Sequence, residues 1–457
     1  MQTASKKIIN GWAMYDWANS AYNLVITSTI FPAYYTIITA KEKIGGDVSF
    51  FGKKFVNTAL FDYALASAYL IIAFLSPILC SIADYKGNKK KFMQFYCYLG
   101  SLACCGMYFF YPQTDAVGNA NGFAPYVLEF GIICFVIAAI GYCGSLVFYN
   151  AYLPEIAEER DQDRVSARGY AYGYVGSVIL QLICFVVVLK PHLFGIKDGF
   201  LPSRISFLLV GLWWMGFAQI TFRTLPLSQP AQKTMEGSVL TNGFIQLKKV
   251  WQQVVTMPVL KRFLRSFFFY SMGVQTVMLA ATIFGSKELQ LSSDTLITTI
   301  LIIQIVAIAG AYIMSRLSAR FGNLQVLALV ISIWIGICIG GYFIEARNNM
   351  QFYILGGVVG LVMGGIQSLS RSTYAKLMPQ TEDTASFFSF YDVTEKLAIV
   401  IGMFSFGFVE TLAGTMRNSI LALMIYFIIA FVLILLAVKK MKQSKNMQTP
   451  AYEAVHH

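Results

Sequence analysis

Apolar stretches long enough to cross a bilayer recur from one end of this chain to the other, separated by short loops that carry most of its charge. A helix needs about 20 apolar residues to span the hydrocarbon core. Inside lipid every backbone donor and acceptor must be satisfied within the structure, so only helices and closed barrels cross. Barrel strands would read as short alternating segments, and this chain shows long continuous ones. The reading is an all-α membrane protein. Composition agrees: 57% of the 457 residues are hydrophobic and 13% charged, against about 25% charged in ordinary soluble domains.

Twelve spans are expected, near 10–40, 57–83, 92–111, 123–150, 167–190, 203–225, 263–286, 293–315, 324–345, 351–378, 386–412 and 417–438. With basic residues near a span end counted with the adjoining loop, one alternate set holds 24 of the 35 basic residues and the other holds 10, with Lys396 left over inside a span. The richer set contains both termini, so the positive-inside rule places both in the cytoplasm. Lys41, Lys43, Lys53 and Lys54, in the first outer loop, run against the trend. The formal charge of +12 lies in these short loops, which argues for headgroups rather than nucleic acid. The first apolar segment is too long, and too polar at its start, for a cleavable signal.

The chain divides into residues 1–225, a linker at 226–262, residues 263–440 and a tail at 441–457. In the linker Leu240, Leu247, Trp251, Val254 and Val255 share a helical face while Lys248, Lys249 and Gln252 point elsewhere, the pattern of a helix lying on the inner membrane surface. The two six-span parts echo each other. ADYKGN (83–88) aligns with SARFGN (318–323) at an offset of 235, and AYLP (151–154) with KLMP (376–379) at 225. Two matches at similar offsets in matching places point to a duplicated six-span unit with pseudo-twofold symmetry.

Several chemistries find no support. The eight cysteines form no CxxC pair and lie in or beside apolar segments, where they act as small hydrophobes. Of three histidines, two close the chain as His456–His457. There is no phosphate-binding loop, HExxH, nucleophile elbow or Rossmann fingerprint. No enzyme activity, cofactor or metal site is expected.

SIADYKGNKKK (81–91) resembles the G-x-L-a-D-r-x-G-r-k signature of the major facilitator superfamily, with Ser81 in place of the first glycine. In it Asp84 can face a neighbouring helix N-terminus. WAMYDWANSAYN, FYNAYLPEI, RVSARGYAYGYVGS, FLRSFFFYSMGVQT and QSLSRSTYAKLMPQTEDTASFFSFYDVTEK occur in that order. Together they resemble the branch of that superfamily that includes the yeast vacuolar amino-acid effluxer linked to autophagy and its bacterial relatives. Met272 stands where that branch often has an acidic residue.

The resemblance implies a major facilitator fold, with spans 1, 4, 7 and 10 lining a cavity open alternately to each side. Each of these has a polar face at about 100° per residue. Span 1 offers Asp16, Asn19, Ser20, Asn23, Thr27 and Tyr34; span 4 offers Gly141, Tyr142, Ser145, Tyr149 and Tyr152; span 7 offers Ser271, Gln275 and Thr282; span 10 offers Gly357, Gly360, Gly364, Gln367, Ser368 and Arg371. Helix packing also produces such stripes. The candidate substrate residues are Asp16, Asn19, Asn23, Tyr142, Ser145, Tyr149, Gln275, Gln367 and Arg371. The candidate gate or ion-coupling residues are Asp16, Arg371, Asp84, Asp392 and Lys396. An Asp16–Arg371 bridge would make a gate, whereas Asp392 and Lys396, at i,i+4, invite a local pair. Gly169, Gly173 and Gly176 share a face suited to close helix packing.

The expected function is secondary transport of a small polar solute by a monomer in a bacterial-type inner membrane. The resemblance favours amino acids or similar zwitterions, and efflux. Sugars, nucleosides and small peptides stay open, as do coupling to H⁺, coupling to Na⁺, and exchange. A sensor or assembly partner on a transporter fold is the competing class.

Overall fold

The computed structural model describes residues 2–40, 47–115, 120–227, 239–413 and 415–453. Lys41, Lys43, the side chain of Leu240 and the His456–His457 pair lie outside the described residues. Contacts divide the chain into two compact units. The first comprises Ser5–Tyr149 and Tyr172–Gln232; the second comprises Met1–Ala4, Asn150–Ala171 and Lys233–His457. The segment Asn150–Ala171, from the N-terminal half of the sequence, thus groups with the C-terminal helices.

The N-terminal half begins with α1 (Lys6–Ala21), a π-helical stretch Tyr22–Thr29, and α2 (Ile30–Ile38). A hairpin of β1 (Asp47–Phe50) and β2 (Lys53–Val56) comes next. Its two-residue turn, Phe51–Gly52, has φ of 49° and 76°, the left-handed pairing that a tight hairpin needs. Then come α3 (Asn57–Lys86), α4 (Lys89–Gly106), α5 (Val127–Ala151), the single turn α6 (Leu153–Ile156), α7 (Gln162–Leu189) and α8 (Leu201–Thr224). In the first unit α8 packs on α1 and on α4. A Cβ on Gly176 would meet the Trp17 carbonyl at 2.5 Å, and one on Gly173 the Ser20 hydroxyl at 2.5 Å. Only a residue without a Cβ lets α7 approach α1 this closely, as the shared glycine face foresaw. Phe31 stacks on Phe135 with ring centroids 4.6 Å apart, a contact worth about 0.5–1.5 kcal/mol beyond its area.

The C-terminal half contains α9 (Val239–Thr256), α10 (Pro258–Ile283), α11 (Ser293–Phe321), α12 (Asn323–Phe343), α13 (Asn349–Leu377), α14 (Thr384–Ala413) and α15 (Met416–Glu453). The starts reflect local chemistry. Ser292 and Asn348 cap α11 and α13 by accepting from the Thr295 and Gln351 amides at 3.4 and 3.1 Å, and Pro258 opens α10 where no amide partner is needed. The widest contacts pair α11 with α13 and α15 with both α10 and α12. A small apolar core of Phe284, Leu289, Leu291, Ile344, Phe352 and Met416 closes one end.

Among the described residues nine helices are long and apolar enough to cross a membrane. The other expected spans, the first, third and eleventh, fall on α1–α2, α4 and α14, which are also helical. Gly87 and Gly322, aligned at the offset of 235, both have positive φ, 61° and 90°, but their ψ values of 28° and 148° set them in different conformations.

Candidate transport site and charged latch

Asp16, in the first unit, is 4% exposed and accepts the Tyr149 hydroxyl at 2.7 Å. Trp12 fixes that tyrosine by stacking on it at 4.4 Å and donating its indole N–H to the Tyr149 carbonyl at 3.0 Å. Spans 1 and 4 therefore join around Asp16. Tyr142 lies against Tyr22, centroids 5.1 Å apart, and the Ser145 hydroxyl turns back to the Tyr142 carbonyl at 2.9 Å. Asn19 is fully buried, and its Nδ2 lacks a hydrogen-bond partner.

The polar stripe of span 1 is not continuous. It presumes uniform α winding, but Tyr22–Thr29 is π-helical, with i→i+5 bonding. The Ser28 and Thr29 hydroxyls reach the carbonyls five residues earlier, Asn23 and Leu24, at 2.9 and 2.7 Å. Along the span Asn23 is exposed while Asp16, Asn19 and Thr27 are buried. Asp84 sits near the end of α3 in a buried ion pair with Lys89, at 3.2 Å, across the start of α4.

In the second unit Arg371 is 1% exposed. Its Nε and Nη2 donate to the hydroxyl and carbonyl of Ser166 at 3.0 and 2.8 Å, and Nη1 to Asn150 Oδ1 at 3.2 Å. Its guanidinium lies 4.2 Å above the Tyr170 ring. Ser166, Asn150 and Tyr170 all belong to Asn150–Ala171. That segment is fastened a second time by Asp163, 4% exposed. Its carboxylate accepts Lys376 Nζ at 2.6 Å, Asn323 Nδ2 at 2.6 Å and the Ser318 hydroxyl at 2.8 Å. Lys376 also donates to Asn323 Oδ1 at 3.1 Å, and the Thr384 hydroxyl donates to Glu155 at 2.8 Å. Asp163, Ser166 and Tyr170 have i, i+3, i+7 spacing, so one face of α7 presents the whole set.

Asp392 and Lys396 form the local pair, at 3.2 Å, and Glu395 also meets Lys396, at 3.1 Å. Gln275 and Gln367 are half-buried. The Tyr270 and Ser370 hydroxyls join α10 to α13 at 2.6 Å. Met272 is buried, its backbone against Gly402 of α14.

The structure thus gathers Asp16 with Tyr149 in the first unit, and Arg371 with Asn150, Ser166 and Tyr170 in the second. Asp163, Lys376, Ser318 and Asn323 are not among the residues that the sequence nominates. On the expected boundaries Asp163 falls in a loop and Lys376 near the end of span 10, neither of them singled out, and SARFGN serves only as evidence of duplication. The signal in α7 was its i, i+3, i+7 polar spacing.

Residues 4–448 match the model of the family described as vacuole effluxer Atg22 like. The chain belongs to this Atg22-like family. It is 32% identical over 430 residues to the uncharacterized MFS-type transporter YxiO of Bacillus subtilis, covering 93% of each protein. It is 25% identical over 487 residues to autophagy-related protein 22 of Kluyveromyces lactis, covering 93% of this chain and 92% of the relative. Among solved structures, the proton:xylose symporter XylE superposes with a TM-score of 0.66 at 13% identity, covering 95% of each chain. The FucP transporter gives 0.62 at 13% identity over 94% of this chain and 98% of the other. The chain therefore has the major facilitator fold and is a multi-pass membrane transporter of the MFS type.

Proposed function

We propose that this Atg22-like protein moves amino acids or similar small zwitterions by alternating access, as a monomer in a bacterial-type inner membrane with both termini cytoplasmic. The observation that carries the reading is how Arg371 is held. Ser166, Asn150 and the Tyr170 face are neutral groups among its contacts, and a substrate carboxylate would offer charged, bidentate bonds in their place. Such bonds are roughly twice as strong as neutral ones. A substrate carboxylate would displace the Ser166 and Asn150 contacts and loosen Asn150–Ala171 from α13. Asp16, whose carboxylate accepts a phenol hydroxyl, is chemically suited to an ammonium. Efflux is favoured by the description of the family, vacuole effluxer.

Counterflow in proteoliposomes tests this. A mixture of labelled amino acids should exchange across the membrane, and Asp16→Asn and Arg371→Gln should each slow it at least tenfold, with thermal melting close to the wild type in Asp16→Asn. If wild-type protein moves no amino acid, or both variants exchange normally, the reading is wrong.

A further inference from the structure

We propose that Asp392, Glu395 and Lys396 of α14 form the binding site of a coupling proton, an inference that rests on the transporter reading above. The starting observation is a count of charges. Lys396 Nζ lies 3.2 Å from Asp392 Oδ1 and 3.1 Å from Glu395 Oε2, so two carboxylates share one ammonium. A structural ion pair would balance one with one. Among the described ion pairs the cluster holds one more carboxylate than ammonium, with the Asp392 and Lys396 side chains 7% and 6% exposed and that of Glu395 24%. Excess charge in such surroundings is costly, and one proton removes it.

The second observation locates the proton. Asp392 Oδ2 is buried and has no hydrogen-bond partner. Among the described residues it is the buried carboxylate oxygen of the cluster that lacks a partner. On proton uptake an O–H bond forms at Oδ2, and Lys396 remains paired with Glu395. On release that bond breaks and Lys396 again serves both carboxylates. A metal cation fits less well. Na⁺ would need several oxygen ligands, and Lys396 already fills the position between the two that are present.

The third observation gives access and consequence. Glu395 is 24% exposed, the most open of the three side chains. Glu395 and Tyr170 of α7 lie within electrostatic range of Tyr270 of α10 and of Tyr391, and Arg371 of α13 within range of Tyr391. The Tyr270 hydroxyl itself meets that of Ser370 on α13 at 2.6 Å. Tyr391 stacks between Phe267 of α10, at 4.2 Å, and Tyr374 of α13, at 4.9 Å. Tyr374 lies about one helical turn from Arg371. A change of charge at Asp392 is therefore set beside the helix that carries Arg371 and Lys376.

Infrared titration of the full chain in lipid nanodiscs tests the proposal without any substrate. Wild type should show the carbonyl stretch of a protonated, buried carboxyl that disappears as pH rises, and Asp392→Asn should abolish it. Glu395→Gln, which alters the most exposed member and spares folding, removes a neighbouring negative charge. It should move the midpoint down by about one pH unit, a tenfold loss of proton affinity. Lys396→Met should move it up. A titrating band that survives in Asp392→Asn, or a midpoint indifferent to Glu395→Gln, overturns the assignment. In proteoliposomes Asp392→Asn should keep amino-acid counterflow but lose accumulation driven by a pH gradient; retained accumulation also overturns it. If wild type moves no amino acid yet the band behaves as stated, the substrate reading fails and the proton site stands.

Discussion

Replacing Lys376 by methionine should release Asn150–Ala171 from α13 and leave the rest of the chain folded. Asp163 would lose its charged donor at 2.6 Å and keep two neutral ones, Ser318 and Asn323. Breaking a buried pair by removing one partner costs about 3–5 kcal/mol. Two features lower that figure here: the surviving donors, and the 16% of the Lys376 side chain that already reaches the surface. We take about 2–3 kcal/mol, close to the worth of a charge-assisted hydrogen bond. That shifts the docking equilibrium roughly 30- to 150-fold. Hydrogen exchange read by mass spectrometry on peptides covering 150–171 should show a loss of protection of this size. Arg160→Ala is the control, because Arg160 pairs with Glu158 while 81% exposed, and surface pairs contribute little. Unchanged protection in Lys376→Met, or an equal loss along the whole chain, would refute the latch.

Two further outcomes can be stated. A Cβ on Gly364 would meet the Ala307 carbonyl at 2.0 Å, whereas one on Gly341 meets nothing nearer than 3.8 Å. Gly364→Ala should thus destabilise by about 1–3 kcal/mol and Gly341→Ala by less than about 0.5 kcal/mol, as read by melting in detergent; equal shifts would contradict the α11–α13 approach. On α9, Val250 and Val254 are buried while Phe244, Trp251 and Val255 are exposed beside Lys248. A helix that lies on lipid should have its Trp251 fluorescence quenched by brominated phospholipids in a variant lacking the other tryptophans, and an unquenched Trp251 would place this face in water.

The helices were legible because lipid leaves a chain few choices, and apolar length alone marks most of them. Asp16 and Arg371 stood out for the same reason, as charges where charge is expensive. Partners were harder to see. The i,i+4 pair of Asp392 and Lys396 is local and can be read from spacing, but Asp163 and Lys376 are 213 residues apart and each looks like an ordinary charge near a span boundary. The binding of Tyr149 to Asp16 depends on how α1 and α5 meet, which no periodicity encodes. The π winding within span 1 was hidden for another reason. A run of apolar and polar residues fixes a helix, but not whether its hydrogen bonds close over four residues or five. Thr29, whose hydroxyl reaches both the Leu24 and Val25 carbonyls and also Gln181, stabilises the wider winding through a contact distant in sequence.

That wider winding makes the number of residues in span 1 a variable separate from their identity. Losing one residue between Tyr22 and Thr29 would be absorbed by tightening π turns into α turns. The change would leave Tyr34 close to its present angle relative to Asp16, whereas the same deletion within a uniform α-helix would swing it about 100° around the axis. A relative shorter by one residue here would lose the wide turns and still aim the outer half of the helix at the same neighbours.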